Sequence, residues 1–173
     1  MDVATAIATQ RVVRAFADRP LEPAHLTAIL EAGRRSGSSK NLQRWAFVVV
    51  RDAETKRRLA GVGPFAGHVA GAAVAVALVT PDPRAADAPL SVVWDLGGVA
   101  ARMMLVAWAI GVGSCPATVY DQDGCRAILG YPADRWCEYL LSFGYPADAS
   151  VAAAPLRPGR RQALAALVHE ERW

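Results

Sequence analysis

Cysteine and histidine are scarce in this chain of 173 residues. Cys115, Cys125 and Cys137 are odd in number, form no Cys-x-x-Cys pair and sit in apolar stretches, a pattern that points to reduced, buried thiols and away from a metal centre. His25, His68 and His169 are too far apart in sequence to make a local ligand cluster. No Pro/Gly/Ser-rich linker and no repeat interrupts the sequence, so residues 1–173 read as one domain, and 53% hydrophobic content is enough for a substantial core. The apolar stretches 66–79 and 99–110 are too short to span a membrane and are broken by His68 and Arg102. The N-terminus has no basic flank followed by an apolar run. These absences predict a soluble, cytoplasmic protein with no membrane partner.

Charge is present but not concentrated. The net charge is +3, with basic clusters at Arg34-Arg35, Lys56-Arg57-Arg58 and Arg160-Arg161. No interleaved aromatics and no recognisable module accompany them, so they read as solvated helix faces and not as a nucleic-acid surface. One or two of these arginines would suffice to hold a phosphorylated small ligand. Gly61-x-Gly63 and Gly111-x-Gly113 both follow helical segments, which denies them the strand-loop-helix setting of a dinucleotide loop. Ser142 lacks the flanks of a nucleophile elbow.

Periodicity gives an alternation of helices and strands. Helices are expected over 4–13, over 23–35 with Pro23 in the first turn, after Asp52 as cap, from a Ser91 cap to about Ile110, over 124–129 and over 162–171. Strands are expected over 45–51, 74–80, from Ser114, and over 139–144. The segment 81–89, with three prolines, reads as an exposed loop. The helix from Ser91 is apolar nearly all round, which in a chain this small calls for an interface as well as a core. The fold class is α+β, a mixed central sheet with helices on both faces.

The most informative stretch is Ser36-Gly37-Ser38-Ser39-Lys40-Asn41-Leu42-Gln43-Arg44-Trp45, whose polar part runs directly into the strand expected over 45–51. In an extended segment Ser39, Asn41 and Gln43 would point to one side and present a row of hydrogen-bond partners to a flat, heteroatom-rich ligand. An ordinary helix-to-strand connection, with Ser and Asn satisfying their own backbone, is the plain alternative. The stretch resembles the Ser-Ser-x-Asn-x-Gln-x-Trp loop of the nitroreductase family of FMN-dependent oxidoreductases, in which the loop packs against the flavin from across a dimer interface. Gly37 and Arg44 stand where prolines are common in that family.

The resemblance covers nearly the whole chain. Gln10-Arg11-Val12-Val13-Arg14-Ala15-Phe16 is similar to the family's Arg-Arg-Ser-x-Arg-x-Phe element, which holds the FMN phosphate and ribityl chain. Arg11, Arg14 and Phe16 match, whereas Gln10 and Val12 depart from it. Trp94-Asp95-Leu96-Gly97 and Ile110-Gly111-Val112-Gly113-Ser114-Cys115-Pro116 resemble the family's long helix and the turn that follows it. By the same resemblance, Pro116, Ala117, Thr118 and Val119 bring backbone toward the flavin's reactive edge. Leu141-Ser142-Phe143-Gly144-Tyr145-Pro146 resembles a late strand, and Arg157-Pro158-Gly159-Arg160-Arg161 a terminal basic segment that grips phosphate. His68 falls near a position where relatives place a basic, hydrogen-donating group beside the flavin, although a capping or surface histidine fits the sequence equally.

The implied cofactor site is therefore Arg11, Val12, Arg14, Ser38, Ser39, Asn41, Gln43, His68, Pro116, Ala117, Thr118, Val119, Arg160 and Arg161. The implied activity moves hydride from NADH or NADPH through FMN to a small nitroaromatic, quinone or enone acceptor, in a homodimer, with no side chain acting as nucleophile. A non-catalytic flavin-sequestering protein is the alternative that the Gln10 and Val12 departures favour.

Overall fold

The computed structural model describes residues 1–154 and 161–173. In chain order its helices are α1 (Val3–Thr9), α2 (Pro23–Arg34), α3 (Ala53–Leu59), α4 (Ser91–Ala109) and α5 (Gln122–Leu129). Its strands are β1 (Ala46–Val50), β2 (Val74–Pro81), β3 (Gly113–Thr118) and β4 (Arg135–Gly144), joined in the order β1-β2-β4-β3. All three strand pairs are antiparallel, and an isolated bridge from Val12 to Ser114 adds a parallel contact at the β3 edge.

β2 shows why the sheet is central. Every residue from Val74 to Thr80 is buried, and successive side chains point to opposite faces. Ala75, Ala77 and Val79 join a cluster with Leu59, Val69, Cys125, Cys137 and Leu140, beneath α3 and α5. Val74, Val76 and Leu78 join a second cluster with Ile29, Leu96, Val99, Met103, Leu141 and Phe143, beneath α2 and α4. The small residues on one face and larger ones on the other set how closely each helical layer approaches. Where α2 crosses α4, Gly33 leaves room that a Cβ would fill, at 2.8 Å from both Met103 Sδ and Phe47 Cζ.

Local signals account for most helix ends. Asp52 accepts from the Thr55 backbone N–H at 2.7 Å and Asp121 from that of Gly124 at 2.9 Å, both as N-caps. Gly130 ends α5 in the left-handed conformation, φ 71°. Ser91, expected as a cap, is instead the first helical residue, and its helix begins without a side-chain cap bond. α1 stops at Thr9 and not at residue 13, because the chain leaves the helix to pair with Ser114: Val12 makes the bridge, and Val13, its side chain buried against Ala6 and Trp108, donates its N–H to the Ser114 carbonyl at 2.9 Å. β4 starts at Arg135, four residues before the expected strand. The expected helix over 162–171 is only a short 3₁₀ turn at Leu164–Ala166, with its apolar residues exposed. A helix needs a surface on which to bury its stripe, and this segment has none within the described residues.

α4 buries Val92, Leu96, Val99 and Met103 while leaving Val93 and Trp94 exposed, at 57% and 84%. It is long and apolar enough to cross a membrane by length and composition, yet one side of it is core. Lys56, read from sequence as part of a solvated cluster, is buried: its Nζ donates to the Ala72 carbonyl and, at 3.4 Å, to that of Ala73.

Candidate cofactor site

The expected site residues separate into two groups at opposite edges of the sheet. The first surrounds a cleft of about 470 Å³ lined by Arg14, Pro64, Phe65, Gly67, His68 and Pro116. Arg14 comes from the segment between α1 and α2, His68 from a 3₁₀ turn at Gly67–Val69, and Pro116 from the edge strand β3. Beyond the Val12 bridge, β3 has no strand partner on the side away from β4 among the described residues, although Pro116 there has no N–H to give. Ala117 and Val119 turn buried side chains into the core and can offer only backbone, and the Val119 N–H already donates to the Glu138 carbonyl at 3.0 Å.

His68 is half-buried and anchored, not a surface residue: its Nδ1 lies 2.8 Å from Ser142 Oγ. Burial first, and the Arg14 cation second, push its pKa below the ordinary imidazole value, with the Pro116 backbone opposing. Its Nε2 is buried without a hydrogen-bond partner among the described residues, and so is Gln10 Nε2. Arg14 is exposed. Arg11 is engaged elsewhere, donating to the Ala154 carbonyl at 2.8 Å and lying 5.7 Å from the Trp108 ring centroid. Val12 is 42% exposed.

The second group is the loop before β1. It is not extended, so the expected one-sided row of Ser39, Asn41 and Gln43 does not form. Ser39–Asn41 is a 3₁₀ turn, and Lys40, Asn41 and Gln43 have φ of 53°, 54° and 47°. Such left-handed positions cost about 1–2 kcal/mol each for most side chains and persist only where surroundings dictate them. Ser38 Oγ accepts from the Gln43 N–H at 2.9 Å, Gln43 Nε2 donates to Asn41 Oδ1 at 3.1 Å, and the Ser39 N–H donates to the Asp95 carboxylate at 3.1 Å. Asp95 is 6% exposed and sits on α4, which ties the loop to the long helix. Together they border an open groove of about 1110 Å³ with Leu90, Val93, Trp94 and Arg102.

One chain does not bring the two groups together. Three strand intervals, about 14 Å, separate β1 from β3. Along the strands, the Ala46 end of β1 and the row containing Cys115 and Ser142 are four residues apart, about 13 Å. Arg161 is exposed, and Arg160 lies outside the described residues.

Asp95 and Ser142 were not among the expected site residues. Each is the lone polar residue in an apolar run, which is the signal that could have found them.

Comparison with known proteins decides the family. The model of the nitroreductase family matches residues 7–62 and 64–145. The chain belongs to the nitroreductase family. A protein named NADH dehydrogenase from Thermus thermophilus is 32% identical over 182 residues, covering 86% of this chain and 88% of that protein. The solved structure of an FMN-dependent nitroreductase from Clostridium difficile R20291 aligns with a TM-score of 0.83 at 23% identity, covering 98% of this chain and 99% of that one. The NADPH:FMN oxidoreductase of Vibrio harveyi, solved with NAD+, aligns with a TM-score of 0.85 at 22% identity, over 99% of this chain and 77% of that one. For this nitroreductase-family chain, the matched segments include both the Arg14–His68–Pro116 cleft and the Ser38–Gln43 loop.

Proposed function

We propose that this member of the nitroreductase family is an FMN-dependent oxidoreductase that uses NADH or NADPH to reduce a small organic acceptor of the nitroaromatic, quinone or enone type, with residues 1–173 forming one flavin-binding unit. The observation that carries the reading is the cleft itself: an exposed guanidinium, a half-buried imidazole with a spare ring nitrogen and an open strand edge border one cavity. That donor set fits a planar, heteroatom-rich ligand with an anionic tail. Arg14 would hold the phosphate, at about 1.5–3 kcal/mol for a charge-assisted bond. Gln10, neutral where relatives place an arginine, offers a buried donor in its place. Backbone of Pro116 to Thr118 would orient the ring, with Arg160 and Arg161 as further phosphate contacts.

When bound, FMN supplies the hydride-accepting and electron-donating chemistry. The protein's part is to hold the ring, exclude water from one face and leave the other open to NAD(P)H and the acceptor in turn. The separation of loop and cleft supports a homodimer whose sites are each completed by the partner's Ser38, Ser39, Asn41 and Gln43. The exposed Val93 and Trp94 of α4 would be covered in that assembly.

Purified protein reconstituted with FMN should retain a yellow chromophore through gel filtration and oxidise NADH or NADPH when a quinone or nitroaromatic is added. Absence of the chromophore sinks the reading. A chromophore without turnover favours the flavin-sequestering alternative. Sedimentation of a stable, flavin-saturated monomer at micromolar concentration would exclude the composite site.

A further inference from the structure

Ser142 is fully buried on β4, and its Oγ meets two groups: the Cys115 carbonyl oxygen at 3.1 Å and His68 Nδ1 at 2.8 Å. A serine hydroxyl has one proton to give. Given to His68, it would leave two oxygens facing each other at 3.1 Å with no hydrogen between them. Given to the Cys115 carbonyl, it satisfies that contact and leaves an Oγ lone pair to accept from a His68 Nδ1–H. Only the second arrangement makes both contacts hydrogen bonds. The neutral ring then carries its remaining lone pair on Nε2, the nitrogen that is buried and without a partner among the described residues.

We infer that Ser142 is a positioning residue that locks His68 in the Nδ1–H tautomer, so that Nε2 serves the cleft as a hydrogen-bond acceptor for an N–H group of the bound heterocycle. This rests on the flavin reading above, an oxidised isoalloxazine having one ring N–H to offer. It reverses the polarity that the family resemblance implies for this position, where a donor or cation was expected.

The groups facing His68 keep the acceptor in place at neutral pH. Arg14, from the segment after α1, repels a proton on the ring; Cys115 on β3 is a buried thiol held neutral; Pro116 on β3 presents backbone that favours the cation; Ser142 on β4 takes only the Nδ1 proton. Phe65 and Pro64, from its own loop, carry no charge. Acid converts Nε2 from acceptor to donor and adds a second positive charge beside Arg14.

Long-range ¹⁵N–¹H NMR on the full chain labelled at histidine, without flavin, reads the tautomer directly. The expected result is Nδ1–H for neutral His68, with Ser142→Ala shifting the ring toward Nε2–H while the melting temperature stays within a few degrees. A dominant Nε2–H form in the unmutated protein overturns the inference, and an unchanged tautomer in Ser142→Ala removes Ser142 from it. FMN titration supplies the second arm. His68→Lys, which has donors and no acceptor, should weaken FMN binding by about three- to tenfold, and His68→Gln, whose carbonyl can accept, by less. Equal or tighter binding by the lysine variant overturns the acceptor role. If the tautomer is as expected but the unmutated protein binds no FMN, the Ser142–His68 arrangement is upheld and the flavin reading alone fails.

Discussion

Removing the Asp95 carboxylate tests whether the loop before β1 belongs to the site. Asp95 is 6% exposed, and its two oxygens lie 3.1 and 3.3 Å from the Ser39 N–H. A hydrogen bond to a charged acceptor contributes about 1.5–3 kcal/mol. Opposing it is the strain of three left-handed residues, Lys40, Asn41 and Gln43, at about 1–2 kcal/mol each for ordinary side chains and less for Asn. Summed over three residues the strain is at least as large as this one anchor, so the loop keeps its shape through the Asp95 bond together with the Ser38–Gln43 and Gln43–Asn41 bonds. In Asp95→Ala the loop should relax, recovering part of the strain, so the net loss of stability is about 1–2 kcal/mol. For a chain of this length that lowers the melting temperature by about 2–8 °C. FMN binding should suffer more than folding, because the ligand must re-impose the strained conformation: a tenfold to hundredfold loss corresponds to about 1.4–2.8 kcal/mol. Asp95→Asn, which keeps one oxygen but no charge, should fall between. Calorimetric melting and flavin fluorescence titration measure the two quantities separately. If Asp95→Ala melts lower yet binds FMN as tightly as the parent, the loop does not contact the cofactor and the composite site is refuted. If neither changes, the Ser39–Asp95 bond contributes nothing.

Lys56→Met keeps the buried stem but removes the donor to the Ala72 and Ala73 carbonyls; a loss of about 1–3 kcal/mol is expected in chemical denaturation, and no loss would mean the amine reaches water. Gly33→Ala should cost about 1–3 kcal/mol by overpacking, since its Cβ would lie 2.8 Å from Met103 Sδ, and an unaltered midpoint would show that the α2–α4 crossing yields freely. Gln122→Leu removes the amide that donates to the Cys137 carbonyl at 2.7 Å and accepts from its N–H at 3.3 Å, with about 1–3 kcal/mol expected per orphaned group; hydrogen exchange at Cys137 should accelerate. The depressed His68 pKa makes the unfolded chain bind that proton first as pH falls below about 6.5. Stability should therefore decline from about pH 6.5 downward until the folded-state pKa is reached, and His68→Gln should flatten that part of the profile; identical profiles would contradict it.

How much of this could be read from the sequence depends on whether the cause of each feature is local. β2 was legible because a strand buried on both faces is apolar throughout, and α3 because Asp52 and Thr55 cap it within three residues. Of the two readings of the loop, the extended row fails and the connection whose side chains satisfy its own backbone is the nearer, with Ser38 Oγ accepting from the Gln43 N–H; the left-handed turns are not announced locally, since Lys40 and Gln43 do not favour positive φ, and the further anchor comes from Asp95, more than fifty positions later. Lys56 was misread for the same reason, since the carbonyls that bury it belong to Ala72 and Ala73. The end of α1 was decided by a partner strand a hundred residues away. Of the residues that line the cleft, the resemblance named Arg14, His68 and Pro116 but not Pro64, Phe65 or Gly67, nor did it show that Arg11 is occupied by the Ala154 carbonyl.

The placement of loop and cleft at opposite sheet edges has a genetic consequence. A defect in Arg14 damages one edge of a chain and leaves its loop intact; a defect in Asp95 does the reverse. In the proposed dimer two such alleles, each inactive alone, would complement when expressed together, because a mixed pair would assemble one sound loop against one sound cleft. Random pairing would restore about one site in four. Two alleles damaged at the same edge could never do so.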